Sequence, residues 1–232
     1  MTVIFLIVSI LFFLSIDWLY RHWKKNKSLS IASPILKDSS HTSFPIRIPE
    51  GIFFTKSHTW LNLYPSGKVQ IGVDDLLSLA LRQPHVSLLK RVGNIIKRGE
   101  PILEFTYNNN RLTIQSPIEG KILSVNDKLV HNPKLLKDAP FNDGWAYTIK
   151  PNKLADLKHF MIGSDIRQWM VDELNKLRDF VAGLGKNMQS KTLILQDGGF
   201  PMGGFLEMMD TDRWKLFEQN FLTVISHGNG VE

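Results

Sequence analysis

The chain contains no cysteine. That removes thiol catalysis, cysteine-ligated zinc, iron–sulfur ligation and disulfides together. It leaves the compartment open, since a cysteine-free protein suits either side of a bacterial membrane. The seven histidines show no metal-ligand spacing, and neither H-x-x-x-H nor H-E-x-x-H occurs. No P-loop, G-x-S-x-G or G-x-G-x-x-G stands in a strand-to-helix context. The glycine-rich stretch 198–204 lacks a lysine for phosphate, and Pro201 removes a backbone donor. It reads as a turn-forming element. No nucleophile–base pair or metal constellation is legible, so no enzyme, cofactor or small-molecule substrate is expected. Nucleic acid is not expected either. The formal charge is +6, but Arg21, Lys24, Lys25 and Lys27 supply four of those charges, leaving about +2 for the rest.

Against these absences stands one long hydrophobic run. Val3 to Ile16 is apolar except for Ser9 and Ser15, and the run stretches from Met1 to about Tyr20 with Asp17 near its end. At ~1.5 Å per residue, a helix of this length crosses the ~30 Å hydrocarbon core of a bilayer. Trp18, Tyr20 and Trp23 sit where an interfacial aromatic belt belongs. No positive charge precedes the run and no small-x-small cleavage site follows it, as a signal peptide would need. The expectation is a retained anchor over 1–25. The four basic residues after the run then place the N-terminus outside and the remainder in the cytoplasm, as a single-pass protein of the cell membrane.

Residues 26–48 are rich in Ser, Lys, Thr and Pro and read as a linker. Residues 49–160 carry short apolar runs separated by turn signals. The expected strands are Phe53–Thr55, Thr59–Tyr64, Val69–Val73, Ser87–Lys90, Ile102–Thr106, Leu112–Gln115, Gly120–Val125 and Ala146–Ile149. This density of short strands argues for a β barrel or sandwich. One helix interrupts it over Asp74–Arg82, with Asp74 and Asp75 at its start. The fold class is mainly β with α. After Pro151 the texture turns helical. Within 161–185, Ser164 can cap a helix whose apolar residues Ile166, Trp169, Met170, Leu174, Leu177, Val181 and Leu184 recur at 3- and 4-residue steps. A C-terminal extension, 186–232, holds a short apolar run, Leu193–Leu195, and a helix from about Asp210 to Leu222. Trp214, Phe217 and Phe221 lie on one face of that helix. The face either folds back on segment 164–184 or binds a partner.

Several motifs in the middle of the chain stand in a fixed order. They are Phe54–Thr55–Lys56–Ser57–His58–Thr59–Trp60, Ile71–Gly72–Val73–Asp74–Asp75, the segment Gly93 to Glu100, and Ser116–Pro117–Ile118–Glu119–Gly120. Asn132–Pro133, Gly144–Trp145 and Ile149–Lys150–Pro151 follow. With these the stretch from about Phe53 to Trp169 resembles the H protein of the glycine cleavage system, a lipoyl-carrier family. The resemblance implies a barrel-sandwich hybrid of two small sheets. It also implies an exposed hairpin whose lysine is amide-linked to lipoic acid. Counting ten residues from Gly99, and back from Ser116–Pro117, both arrive at Asn109. Tyr107 to Leu112 contains no lysine. Asn108, Asn109 and Asn110 make a good turn but offer no amine to acylate. Lys97 and Lys121 fall on flanking segments, and Arg111 is no acceptor. His58 and Trp60 are expected to pack the barrel.

The expectation is therefore a non-catalytic, membrane-anchored adaptor or accessory subunit of a membrane complex. Its H-protein-like domain would lack the lipoyl group. Asn108, Asn109, Asn110, Trp214, Phe217 and Phe221 are its candidate partner-binding residues. Two alternatives remain: a carrier modified at another lysine, and a periplasmic transport adaptor. The latter usually inserts a coiled hairpin in the barrel, and no heptad run is inserted here.

Overall fold

The computed structural model describes Ser15, residues 46–184 and residues 202–223. The chain divides into two compact units, Met1–Ser33 and Pro34–Glu232. The strands all belong to the second. The apolar run apart from Ser15, the basic cluster, the linker up to residue 45 and Leu193–Leu195 lie outside the described residues. Among the described residues, no helix is long and apolar enough to cross a membrane.

Among the described residues, nine strands form two antiparallel sheets. The larger has the order β1 (Ile52–Phe54), β2 (Thr59–Leu63), β3 (Val69–Val73), β9 (Trp145–Pro151), β8 (Gly120–Val125), β5 (Ile95–Ile96). The smaller has the order β4 (His85–Leu88), β6 (Pro101–Tyr107), β7 (Asn110–Gln115). Alternation explains the strands. Val69, Ile71 and Val73 of β3 are buried, and Leu112 and Ile114 of β7 are buried between the less buried Arg111 and Thr113, as a period of two requires. Tyr147 of β9 ties the sheets together. Its hydroxyl donates to the Ile102 carbonyl (2.7 Å) and accepts from the Lys90 N–H (3.0 Å). Burial pushes this phenol up to about 12, against the pull of the hydrogen bonds from the 89–90 backbone.

Trp60 of β2 is fully buried, and its indole N–H donates to the Val73 carbonyl (3.0 Å). Gly72 is its cross-strand partner. A Cβ at position 72 would sit 2.4 Å from the Trp60 ring. Gly72→Ala should therefore lower stability by about 1–3 kcal/mol through overpacking. A lower urea midpoint at unchanged m checks this, and an unshifted midpoint would refute the close packing.

Among residues 46–184 and 202–223 the α-helices are α1 (Asp75–Ala80), α2 (Asp127–His131), α3 (Leu135–Asp138), α4 (Ser164–Leu184) and α5 (Thr211–Phe217). The last runs on as a π-helical turn over Glu218–Leu222. Along α4 the expected stripe faces inward through Ile166, Met170, Leu177 and Val181. Asp74 caps α1, its carboxylate accepting from the Leu76 N–H (3.0 Å). Helix α1 is thus shorter than Asp74–Arg82, ending where Leu81 turns extended.

Several expectations need correction. Strand β4 starts at His85 and stops at Leu88 rather than spanning Ser87–Lys90. The Leu89 N–H still meets its in-register neighbour Ile102, whereas the Lys90 N–H leaves the ladder for the Tyr147 hydroxyl. Strand β5 has no counterpart among the expected strands, because two residues carry no periodicity. The linker does not reach residue 48. Ile46 and Ile48 are buried with Trp60 and Met170 in a second core cluster, an apolar–polar–apolar triplet whose central Arg47 pairs with Asp75. Burial raises the Asp75 carboxyl, and Arg47, through two side-chain hydrogen bonds and one from its backbone N–H, works against that shift.

Candidate functional site

Strands β6 and β7 form a hairpin paired Phe105↔Leu112, Thr106↔Arg111 and Tyr107↔Asn110. Its loop is two residues long, Asn108 and Asn109, both exposed. Asn108 takes φ +51°, a left-handed conformation that asparagine tolerates better than most side chains. The tip is therefore the tight turn that the resemblance implies, with Asn109 on it. The cationic side chain next to it is Arg111, which lies 3.4 Å from Glu104. Lys121 is on β8 and Lys97 directly follows β5, and both strands belong to the other sheet. A carboxamide nitrogen is not a nucleophilic amine, so the residues at the tip do not fit an amide-linked lipoyl group.

The hairpin is braced from one side. Strand β7 is an edge of the smaller sheet, where unpaired backbone groups await partners. The Thr113 N–H donates to the Glu218 carboxylate (2.8 Å), and the Thr211 hydroxyl donates to the Asn110 side-chain oxygen (2.7 Å). Both partners come from the C-terminal segment. Asp210 caps α5 by accepting from the Arg213 N–H (3.0 Å).

Trp214, Phe217 and Phe221 do not offer a binding face. They are 1, 0 and 2% exposed. Phe217 stacks on Phe221 at 4.8 Å and meets Phe205 edge-on at 5.9 Å, while Phe180 of α4 meets Phe221 edge-on at 5.6 Å. The Trp214 indole N–H donates to the Leu206 carbonyl (2.7 Å). The aromatic face folds back, because burying three large rings at 3- and 4-residue steps removes far more apolar surface from water than leaving them for a partner. Asn108 and Asn109 remain exposed at the hairpin tip, and Asn110 is half-buried.

His58 is fully buried, and it packs as expected, but it does more. It adopts φ +57° between β1 and β2. Its Nδ1 lies 2.8 Å from an Asp74 carboxylate oxygen, and its Nε2 faces Glu173 of α4 at 3.6 Å without a hydrogen bond. The ring lies 5.1 Å from that of Trp169. Burial works against a charge on His58. The Asp74 carboxylate, with Glu173 adding to it, outweighs burial and pushes the imidazole up to about 9. Burial likewise works to raise Glu173, yet its interactions with His58 and Lys176 hold it below its ordinary value. The result is an imidazolium clamped between two carboxylates, joining the β1–β2 turn, the start of α1 and the middle of α4. Nothing in the spacing of His58, Asp74 and Glu173 announces this. The only signal is that the first two stand in the first two motifs.

Residues 52–173 match the family model of the glycine cleavage H-protein. The chain belongs to that family. The matched residues include the hairpin, His58, Asp74 and Glu173. Among relatives, the glycine cleavage system H protein of Coprothermobacter proteolyticus is 27% identical over 125 residues, covering 54% of this chain and 98% of that protein. That of Thermus thermophilus is 30% identical over 115 residues, covering 49% of this chain and 88% of that one. The crystal structure of a glycine cleavage system H protein from Mycobacterium marinum superposes with a TM-score of 0.42 at 24% identity, covering 48% of this chain and 97% of that one. This H-protein-family chain thus contains nearly the full length of its relatives and about as much again beyond them. The brace from Thr211 and Glu218 lies outside the matched residues.

Proposed function

We propose that this protein is a non-catalytic, membrane-anchored adaptor or accessory subunit whose H-protein-like domain carries no lipoyl group and serves as a docking surface. The observation that carries the reading is the hairpin tip, which keeps the tight turn and has asparagines where an acceptor lysine would stand. The brace supports it further. A carrier hairpin presents a swinging group to enzymes in turn, whereas this one is fastened along an edge by the chain's own C-terminal segment. The exposed pair Asn108 and Asn109 is then a fixed contact for a protein partner, held in the cytoplasm next to the membrane by residues 1–25.

Mild-detergent purification with mass spectrometry tests this. A membrane protein should co-purify at fixed stoichiometry, and a C-terminal reporter that works only in the cytoplasm should be active. Recovery of the chain alone from the soluble fraction, or activity only of an exported reporter, would contradict it. Family membership itself favours one second reading, a lipoyl carrier modified at a different lysine, and the intact mass of the chain separates it from the first.

A further inference from the structure

Among the described residues, Ile95 and Val92 are the most exposed of the large hydrophobic side chains, at 70 and 63%. Val92 lies in the turn that leads from β4 into β5, Ile95 opens β5 three residues on, and Leu89 precedes Val92 by three more at 43%. The turn is not a loose loop. The Gly93 N–H donates to the Ile122 carbonyl and the Ile122 N–H to the Asn94 carbonyl, each at 2.9 Å. The Asn94 side chain accepts from the Arg91 N–H at 2.8 Å. A fixed backbone therefore holds these apolar side chains out in water.

Basic residues surround them. Arg91 and Lys97 are exposed on either side. Across the sheet, Ile95 pairs with Lys121 and Lys121 pairs with Lys150. Cross-strand partners share a face, and both lysines are exposed, so the positive row continues from the turn over the outer face of the larger sheet. Of the two acids nearest in sequence to this row, Glu100 is in an ion pair with Lys90, which holds its carboxyl below the ordinary value, and Glu119 is in a hydrogen bond to a neutral amide, that of Asn152 (2.7 Å).

Apolar tips ringed by cationic heads match the boundary of an anionic bilayer, where the tips enter the headgroup region and the cations meet lipid phosphates. No aromatic ring occurs between Leu89 and Arg98, so bases of single-stranded nucleic acid would find no stacking platform. From the proposed anchor, residues 26–45 reach at most about 70 Å when extended, so the domain stays within reach of the lipid surface. We propose that the β4–β5 turn, with the Lys121–Lys150 row, is a membrane-surface contact that seats the domain on an anionic leaflet. This rests on the membrane-anchored reading above, and the test separates the two.

The absence of cysteine allows a single label. The full chain carrying Val92→Cys, labelled with an environment-sensitive fluorophore, is mixed with vesicles of phosphatidylcholine alone or with added phosphatidylglycerol. The expected result is flotation with both. Only where phosphatidylglycerol is present should a blue shift and quenching by a lipid-borne spin label follow. The same label at Leu216→Cys, exposed on α5, should stay in water. Adding Arg91→Gln and Lys121→Gln should weaken seating by roughly 30-fold, at about fivefold per cation. Flotation with both vesicles while the Val92→Cys label stays in water overturns the seat and leaves the anchor standing. A shift that ignores phosphatidylglycerol also overturns it. Flotation only with phosphatidylglycerol supports the seat and overturns the anchor, and no flotation overturns both.

Discussion

Replacing Asp74 by alanine is expected to lower the unfolding free energy by about 3–5 kcal/mol, the usual cost of stripping one partner from a buried ion pair. The substitution removes two interactions at once. One is the cap on α1, through the bond from the Leu76 N–H. The other is the carboxylate on Nδ1 of the buried His58. Asp74→Asn separates them, because an amide oxygen can still accept at the cap while the charge is gone. It should cost less, and it should change how stability depends on pH.

That dependence has a definite sign. His58 is held at about 9 in the folded chain against an ordinary 6.5. The clamp's contribution is therefore complete below about pH 6.5, declines as pH rises, and is gone once pH has passed about 9. A shift of this size corresponds to about 3 kcal/mol. Glu173 works in the opposite sense, since its folded value is depressed. Its contribution is present above the ordinary carboxylate value and is lost as pH falls through the lowered one. Urea unfolding at pH 6 and pH 9.5 should show the wild type losing stability on the alkaline side and Asp74→Asn losing much less. Equal losses in both would mean that His58 is neutral in the folded chain.

Phe217→Ala is expected to cost about 3–5 kcal/mol, as for other large-to-small changes at fully buried aromatic positions. Phe217 is 0% exposed and touches rings from three parts of the chain, Phe180, Phe205 and Phe221. Phe205, Phe217 and Phe221 belong to the same core cluster as Leu112 and Ile114 of β7, and Phe180 packs against it. If the C-terminal segment folds with the barrel, the urea midpoint falls and m stays constant. The Thr113 amide should then exchange faster with solvent, because its acceptor Glu218 is on the loosened segment. A segment that is only an appendage would give another result, an unchanged barrel midpoint with faster exchange confined to 205–222.

The barrel reads directly from local pattern. Strands β3 and β8 have the expected limits because alternation and bounding glycines or charged turns agree there. Helix α4 begins at Ser164 and keeps its stripe for the same reason. Strand β5 and the short helices α2 and α3 are illegible, since two to five residues carry too little periodicity to stand out. The aromatic face of α5 is legible as a face, but what covers it is a matter of contacts with Phe180 and Phe205 that no local pattern encodes. The hairpin tip is legible because Gly99 and Ser116–Pro117 bracket it from both sides. The His58 clamp is not, because its three members come from a turn, a cap and a distant helix, and pair only once the sheets have packed.

The central proposal is that the H-protein-like domain has kept the hairpin and carries no lipoyl group. Intact-mass measurement after co-expression with a lipoate ligase and lipoate tests this most directly, with the Thermus thermophilus H protein as the positive control. The account predicts the unmodified mass for this chain under conditions that fully modify the control. A lipoyl mass increment on the chain, at any lysine, would contradict it.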